Sequence, residues 1–296
     1  MKKILITGGS GLIGKAVTSY LQKNGYEVAW LSRSPKKKKQ KSFRWDVQKE
    51  TLDQEALVWC DGIIHLAGAG VADKRWTEKR KREILDSRTQ STRLLFECLQ
   101  KLEKKPEVFV SASAVGYYGI DTAGELMNEE SPVGSGFLAE VVSSWETEIS
   151  PINTLGIRTV MLRTGIVLDR RGGALAEMLK PPVATPLGSG KQYMSWIHLE
   201  DMVALYAYAL THPLEGIYNA VAPHPVSNYD LTKAASKAKG KPFLPIPVPA
   251  LLLKMVLGEM ADMVVGGNRV SSEKIEKTGF NFKYPYIKDA LLDIYK

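Results

Sequence analysis

Positions 7–14 read TGGSGLIG and place glycines at 8, 9, 11 and 14. This satisfies both GxGxxG and GxxGxxG, spacings that cradle a phosphate when the run follows a strand and opens a helix. One glycine permits the tight turn, another lets backbone approach a pyrophosphate, and Gly14 lets helix pack on strand. The helix N-terminus then offers free N–H groups and partial positive charge to the phosphates. A strand serving NAD would end about 20 residues later in Asp or Glu, for the ribose hydroxyls. This chain has Leu31, Ser32, Arg33 and Ser34 there. An arginine suits a 2′-phosphate, which it meets with two charge-assisted hydrogen bonds. The expected cofactor is therefore NADP(H). The segment GFLAEVVSSWE (136–146) offers only Glu140 and Glu146 as titratable groups. There is no close HxxxH or HExxH, so no metal site is expected, and no GxSxG elbow for hydrolase chemistry.

These residues need a scaffold, and the chain supplies an alternating one. KKILIT, YEVAWLS, a weaker SFRWDV, DGIIHLAG, EVFVSAS and GIRTVMLRTG read as strands. Between them, LIGKAVTSYLQKNG, the stretch Thr77 to Glu103 and GFLAEVVSSWE carry apolar residues at helical spacing. Such alternation predicts an α/β fold: a doubly wound parallel-sheet Rossmann domain with helices on both faces. Beyond residue 168 glycines and prolines become dense, and the last third is mostly helical. The expected division is a dinucleotide-binding domain over 1–168, with later segments such as 190–222 returning to it. A smaller, mostly helical C-terminal substrate lobe over 169–296 follows.

The 296 residues are 44% apolar and 24% charged, as in an ordinary globular protein. The net charge of +8 is partly local, since PKKKKQK (35–41) holds five lysines. Such a run reads as a solvated loop, and with no aromatic interleaving it predicts no nucleic-acid partner. No window approaches the ~20 apolar residues of a membrane span. The N-terminal apolar run is short and broken by glycines, unlike a signal peptide. Cys60 and Cys98 lack CxxC spacing and read as buried free thiols. A cytoplasmic protein with a small-molecule substrate and no membrane partner is expected; its oligomeric state is open.

TGGSGLIG, HLAG (65–68), SAS (111–113) followed by GYYG, and LRTG (162–165) fall in the order seen in the short-chain dehydrogenase/reductase superfamily. The chain resembles its extended or atypical branch, which includes nucleotide-sugar epimerases. SRTQST (87–92), SASAVGYYG (111–119), GSGKQYMSWIHLED (188–201) and the segment VPALLLKMVLGEMADMVVGGNRV (248–270) narrow the resemblance to the epimerase-like SDR39U/YfcH/YfhF-type family. A family-specific segment over about 248–296 is implied. The resemblance further implies that Gly8, Ser10, Gly11, Leu12 and Ile13 line the pyrophosphate. Arg33 would meet the adenosine phosphate, and Asp46 and Val47 would lie near adenine. Leu66, Ala67 and Gly68 would pass beneath the riboses, and Ser113 would face the substrate side of the nicotinamide.

The superfamily also uses a Tyr and a Lys four residues apart on the helix after the serine strand. One helical turn puts both on one face, and the cation lowers the phenol pKa. Here that helix is GFLAEVVSSWE. Phe137 or Leu138 fills the tyrosine slot and Val141 or Val142 the lysine slot, so the pair is absent in either register. Tyr117 and Tyr118 carry phenols close to the serine strand, and a desolvated Glu140 could titrate near neutrality. The candidate catalytic groups are therefore Ser113, Tyr118 and Glu140. Each also has a structural reading: Tyr118 as a packed ring with a tethered hydroxyl, Glu140 as a solvent-facing carboxylate. His198 could bind substrate or make a structural hydrogen bond. Two functions remain open: an NADP-dependent oxidoreductase or epimerase-like enzyme, and a cofactor-binding sensor or scaffold that does no chemistry.

Overall fold

A computed structural model describes residues 1–35 and 40–296; the lysines at 36–39 lie outside the described residues. The first half runs β1 (Lys3–Thr7), α1 (Leu12–Lys23), β2 (Glu27–Ser32), β3 (Ser42–Asp46), β4 (Thr51–Leu52), α2 (Gln54–Trp59), β5 (Gly62–His65), α3 (Glu78–Gln100), β6 (Val108–Ala114), β7 (Leu126–Met127) and α4 (Phe137–Ile149). There follow β8 (Arg158–Thr164), β9 (Ile166–Leu168), α5 (Gly173–Met178), β10 (Tyr193–Met194), β11 (Trp196–His198), α6 (Leu199–Thr211) and β12 (Gly216–Ala220). The chain ends with β13 (Val226–Ser227), α7 (Asn228–Lys239), α8 (Ala250–Leu257), α9 (Asp262–Val265), β14 (Arg269–Val270), α10 (Glu273–Glu276) and α11 (Ile287–Tyr295).

The main sheet has eight strands in the order β12-β8-β6-β5-β1-β2-β3-β4. All its pairs are parallel except β3–β4. Alternate side chains therefore feed two separate cores. Ile4, Ile6, Ile64, Val110 and Val160 pack with α1 and α6 on one face. Leu5, Ile63, Phe109 and Met161 pack with α2, α3 and α4 on the other. Burying this many aliphatic side chains, each contributing about 1.5–3 kcal/mol, fixes the layers. A third core, around Leu168, Trp196, Leu231 and Leu291, holds the C-terminal part.

The strand order reverses at β1, which lies between β2 and β5. In open α/β sheets the carboxyl ends of strands at such a switch point form a crevice that takes ligands. Two loops meet there: residues 8–11 after β1 and residues 66–70 after β5. Among the described residues, no helix is long and apolar enough to cross a membrane.

Candidate functional site

The crevice is closed tightly enough to explain its glycines. Gly8 has a φ of 66°, and a Cβ there would fall 2.6 Å from Leu66 O. A Cβ on Gly14 would fall 2.4 Å from Gly8 O, so only glycine lets α1 approach the turn. Gly11 N donates to Gly8 O at 3.0 Å, closing the turn. Gly11 is also the N-cap of α1 and brings no capping side chain, which leaves first-turn N–H groups without a side-chain acceptor. Ser10 and Gly11 are exposed; Leu12 and Ile13 form the first turn of the helix, half-buried.

Thr7 joins the two loops. Its Oγ1 accepts from Leu66 N and Ala67 N, both at 3.0 Å, and lies 2.8 Å from His65 Nδ1. With two donors already on its oxygen, the threonine hydroxyl gives its own proton to Nδ1. His65 Nε2 then carries hydrogen toward Thr92 Oγ1 at 3.2 Å. Burial first, then the Arg88 charge, pulls the His65 pKa down to about 3, so the ring is neutral. Gly8, Leu66, Ala67 and Gly68 thus come together around a rigid polar pin.

The remaining cofactor candidates line the same edge of the sheet. Arg33 follows the end of β2 and is exposed. Asp46 ends β3, and its Oδ1 accepts from Lys49 N at 3.3 Å; Val47 begins that turn. Trp30 was not singled out by the sequence. Its ring fills the space beside Gly9, where a Cβ would come within 2.5 Å, and its Nε1 donates to Thr18 Oγ1 at 2.8 Å.

A buried polar chain runs between β6, α4, β8 and β12. Ser113 Oγ donates to Glu146 Oε1 at 2.6 Å. Arg163 Nε and Nη2 donate to the two oxygens of Glu146, each at 2.8 Å, a bidentate fork. Arg163 Nη1 donates to the Tyr118 hydroxyl at 3.1 Å, and that hydroxyl donates to Asn219 Oδ1 at 2.7 Å. The Arg163 guanidinium also lies 3.4 Å from the Tyr117 ring centroid. Burial alone would lower the Arg163 pKa, but the hydrogen bonds and charge of Glu146 reverse this and hold it above the ordinary value. Burial pushes the Tyr118 phenol up, against the opposing effect of Arg163, so it is protonated at neutral pH.

Ser113 and Tyr118 therefore belong to one network, and both hydroxyl protons have acceptors inside the protein. Glu140 stands apart from it. It is exposed in the first turn of α4 and lines a groove with Lys81, Leu85, Val133 and Phe137. Glu146, not Glu140, is the carboxylate that α4 turns inward. It sits four residues after Val142 and three before Ile149, on the buried stripe of the helix. That spacing, with Arg163 inside the apolar strand VMLRT, was the signal available in the sequence.

His198 and other polar groups have structural duties. His198 caps α6 by accepting from Glu200 N at 3.1 Å and packs on the Tyr284 ring. Gln192 Nε2 bridges Leu187 O and Val264 O. Burial pushes the Cys60 thiol up to about 12, which leaves it inert. Among the described residues, no group of three or more His, Cys, Asp or Glu side chains is placed to hold a metal ion.

Known proteins resemble this chain in sequence and fold. Residues 4–139 match the NAD dependent epimerase/dehydratase family, and residues 248–294 match a domain of unknown function, DUF1731. The chain is 35% identical over 295 residues to the epimerase family protein YfhF of Bacillus subtilis, covering 97% of this chain and 96% of that one. The crystal structure of human epimerase family protein SDR39U1 (isoform 2) with NADPH superposes with a TM-score of 0.88 at 30% identity, over 99% of both chains. The crystal structure of a nucleoside-diphosphate sugar epimerase from Corynebacterium glutamicum gives a TM-score of 0.77 at 32% identity, over 98% of this chain and 57% of that one. With likeness running from the glycine turn through the DUF1731 segment, the chain belongs to the epimerase-like family of SDR39U1 and YfhF, within the short-chain dehydrogenase/reductase superfamily.

Proposed function

We propose that this protein is an NADP(H)-binding, epimerase-like oxidoreductase acting on a carbonyl compound or a sugar nucleotide. One observation carries the reading: a glycine cradle at the β1/β5 switch point, with Arg33 standing where an NAD enzyme would place a carboxylate. The turn suits a dinucleotide: its glycines let the β1 loop close on the β5 loop and on α1, and no side chain caps the first turn of α1, whose N–H groups would serve the phosphates. The NADPH bound to human SDR39U1 supports the same cofactor, and the C. glutamicum nucleoside-diphosphate sugar epimerase supports the substrate class. In this reading residues 1–168, with 190–222, form the cofactor-binding unit. The rest of 169–296, including the family-specific 248–296, forms the substrate lobe of a cytoplasmic protein.

When bound, the nicotinamide supplies or accepts hydride. The chain's own residues bind and orient. Gly8, Ser10, Gly11, Leu12 and Ile13 would hold the pyrophosphate, Arg33 the 2′-phosphate, Asp46 and Val47 the adenine side, and Leu66, Ala67 and Gly68 the riboses. Ser113 would hydrogen-bond the reacting oxygen. Tyr118 would give up its proton by releasing Asn219, and Glu140 would act only if ligand binding desolvates it.

The cofactor assignment is tested by NADPH and NADH affinity before and after Arg33→Ala. NADPH should weaken about 10- to 100-fold, the loss of about 1.5–3 kcal/mol for the charge-assisted contact as a whole, while NADH stays constant. An unchanged NADPH preference refutes the assignment. Turnover of Ser113→Ala, Tyr118→Phe and Glu140→Gln on an identified substrate tests the proton route; full activity removes the residue concerned.

A second reading, a cofactor-binding sensor or scaffold without chemistry, is favoured by one feature of the site. Phe137 or Leu138, and with it Val141 or Val142, fills the helix positions of the missing pair, and the protons of Ser113 and Tyr118 are already accepted within the protein. Tight NADPH binding with no turnover across a panel of carbonyls and sugar nucleotides would select it.

A further inference from the structure

Arg88, on α3, is a half-buried cation with no counter-ion among the described residues. Its Nη1 donates to Ala69 O at 3.0 Å and Ile84 O at 2.9 Å. Its guanidinium lies over the Trp145 ring, 5.2 Å from the centroid. Gly68 faces the flat of the same group: a Cβ there would fall 3.1 Å from Cζ and 3.3 Å from each terminal nitrogen. Any larger residue at position 68 would push the guanidinium away.

Other arginines of the fold show what is missing. Arg163 has Glu146, and Arg80 has Glu83 at 2.7 Å. Arg158 uses both terminal nitrogens on three carbonyls at the end of α6, where the helix dipole supplies negative charge. Arg88 has no carboxylate within 4.0 Å among the described residues, and one of its two carbonyl partners lies mid-helix. Its Nε and Nη2 have no hydrogen-bond partner among the described residues, yet neither atom is sealed from solvent, unlike Arg80 Nε. A half-buried cation that no carboxylate neutralises gains from a ligand that brings the opposite charge. Burial, with Arg80 adding to it, lowers the Arg88 pKa only to about 10, so the charge persists at neutral pH.

We propose that Arg88 is an oxyanion-binding residue whose free Nε–Nη2 edge, beside Gly68 and Ala69, takes a phosphate or carboxylate group of a ligand held in the β1/β5 crevice. The planar fork suits either group bidentately. Two sources share this chemistry: a phosphate of the cofactor, which rests on the NADP(H) reading, and an oxyanion of the substrate.

The test compares wild type, Arg88→Met and Arg88→Lys by calorimetric binding of NADPH, inorganic pyrophosphate and acetate, with the Tm of the unliganded protein as a check of folding. Arg88→Met keeps the stack on Trp145 and loses the charge; at least one of the three probes should weaken 10-fold or more. Arg88→Lys should recover part of that loss. Loss confined to NADPH identifies the cofactor as the source, and loss of the small anions with NADPH retained identifies the substrate. Unchanged affinity for all three probes, with only Tm lowered, makes Arg88 a structural pin and overturns the proposal. Should Arg88→Met not fold, Arg88→Lys decides it: an ammonium cannot reproduce the fork, so unaltered affinities refute the proposal. A wild-type protein that binds pyrophosphate but no NADPH would overturn the cofactor reading while leaving Arg88 an anion site.

Discussion

Replacing Glu146 with Gln tests the buried chain at its centre. The carboxylate accepts three bonds, from Ser113, Arg163 Nε and Arg163 Nη2. The Arg163 side chain is 1% exposed and that of Glu146 8%, so water cannot replace what is lost. A glutamine keeps one acceptor oxygen, but its amide NH₂ faces a guanidinium donor or the serine proton. The expected loss is that of breaking a buried pair, about 3–5 kcal/mol, because Arg163 remains as an uncompensated buried charge. Urea unfolding at neutral pH measures it. A double variant, Glu146→Leu with Arg163→Met, removes both charges and should lose much less than the sum of the single changes, with a coupling of up to about 3 kcal/mol. A loss below about 1 kcal/mol for Glu146→Gln, or strict additivity in the cycle, would refute the claim that this pair is desolvated and mutually dependent.

Three further outcomes follow from the geometry. The unfolded chain binds a proton on His65 between about pH 6.5 and 3 that the native state refuses, so stability falls as pH drops through that window. The loss is about 1.3 kcal/mol between pH 7 and 5.5; a urea-midpoint profile equally steep in His65→Gln would remove this residue from the account. Gly14→Ala would gain about 1 kcal/mol in helix propensity, but its Cβ would meet backbone at 2.4 Å and 2.7 Å, so the net effect should be destabilising by about 1–3 kcal/mol, with NADPH affinity lost; a more stable variant that still binds would refute the close approach. Tyr118→Phe leaves Arg163 Nη1 and Asn219 Oδ1 without their partner and should cost about 1–3 kcal/mol; an unchanged urea midpoint would show that water replaces the hydroxyl.

Local signals made the nucleotide-binding half readable. The β1 turn, α1 and β2 follow one another within 32 residues, and each carries its own period and stop. Thr77 caps α3; of the face expected from spacing, Ile84, Thr92, Leu95, Cys98 and Leu99 are buried, whereas Leu85 is half-buried and Leu102 lies beyond the helix end. The polar chain was not readable in the same way, because its members come from four elements. Ser113 meets Glu146 across 33 residues, and Tyr118 meets Asn219 across 101. Glu146 was visible as a carboxylate on an apolar stripe, but its partner is fixed by which strand lies beside β6. That is a property of sheet order, not of local pattern. The C-terminal part resisted for a different reason: its β9–β11, β10–β13 and β7–β14 pairs are two or three residues long, too short to show a period.

The last part of the chain also finishes the site. Asn219 Nδ2 donates to Ser271 O, which orients the amide that holds Tyr118. Asn268 Nδ2 donates to Val115 O and Gly119 O, 153 and 149 residues earlier, on either side of the two tyrosines. At a synthesis rate of about 5–20 residues per second, that span takes roughly 8–30 s to emerge. During this interval the nascent protein holds a complete glycine turn, while the backbone on both sides of its tyrosines lacks its clamp. The clamp beside Tyr118 can therefore close only after Asn268 has been synthesised, however early the β1 turn emerges.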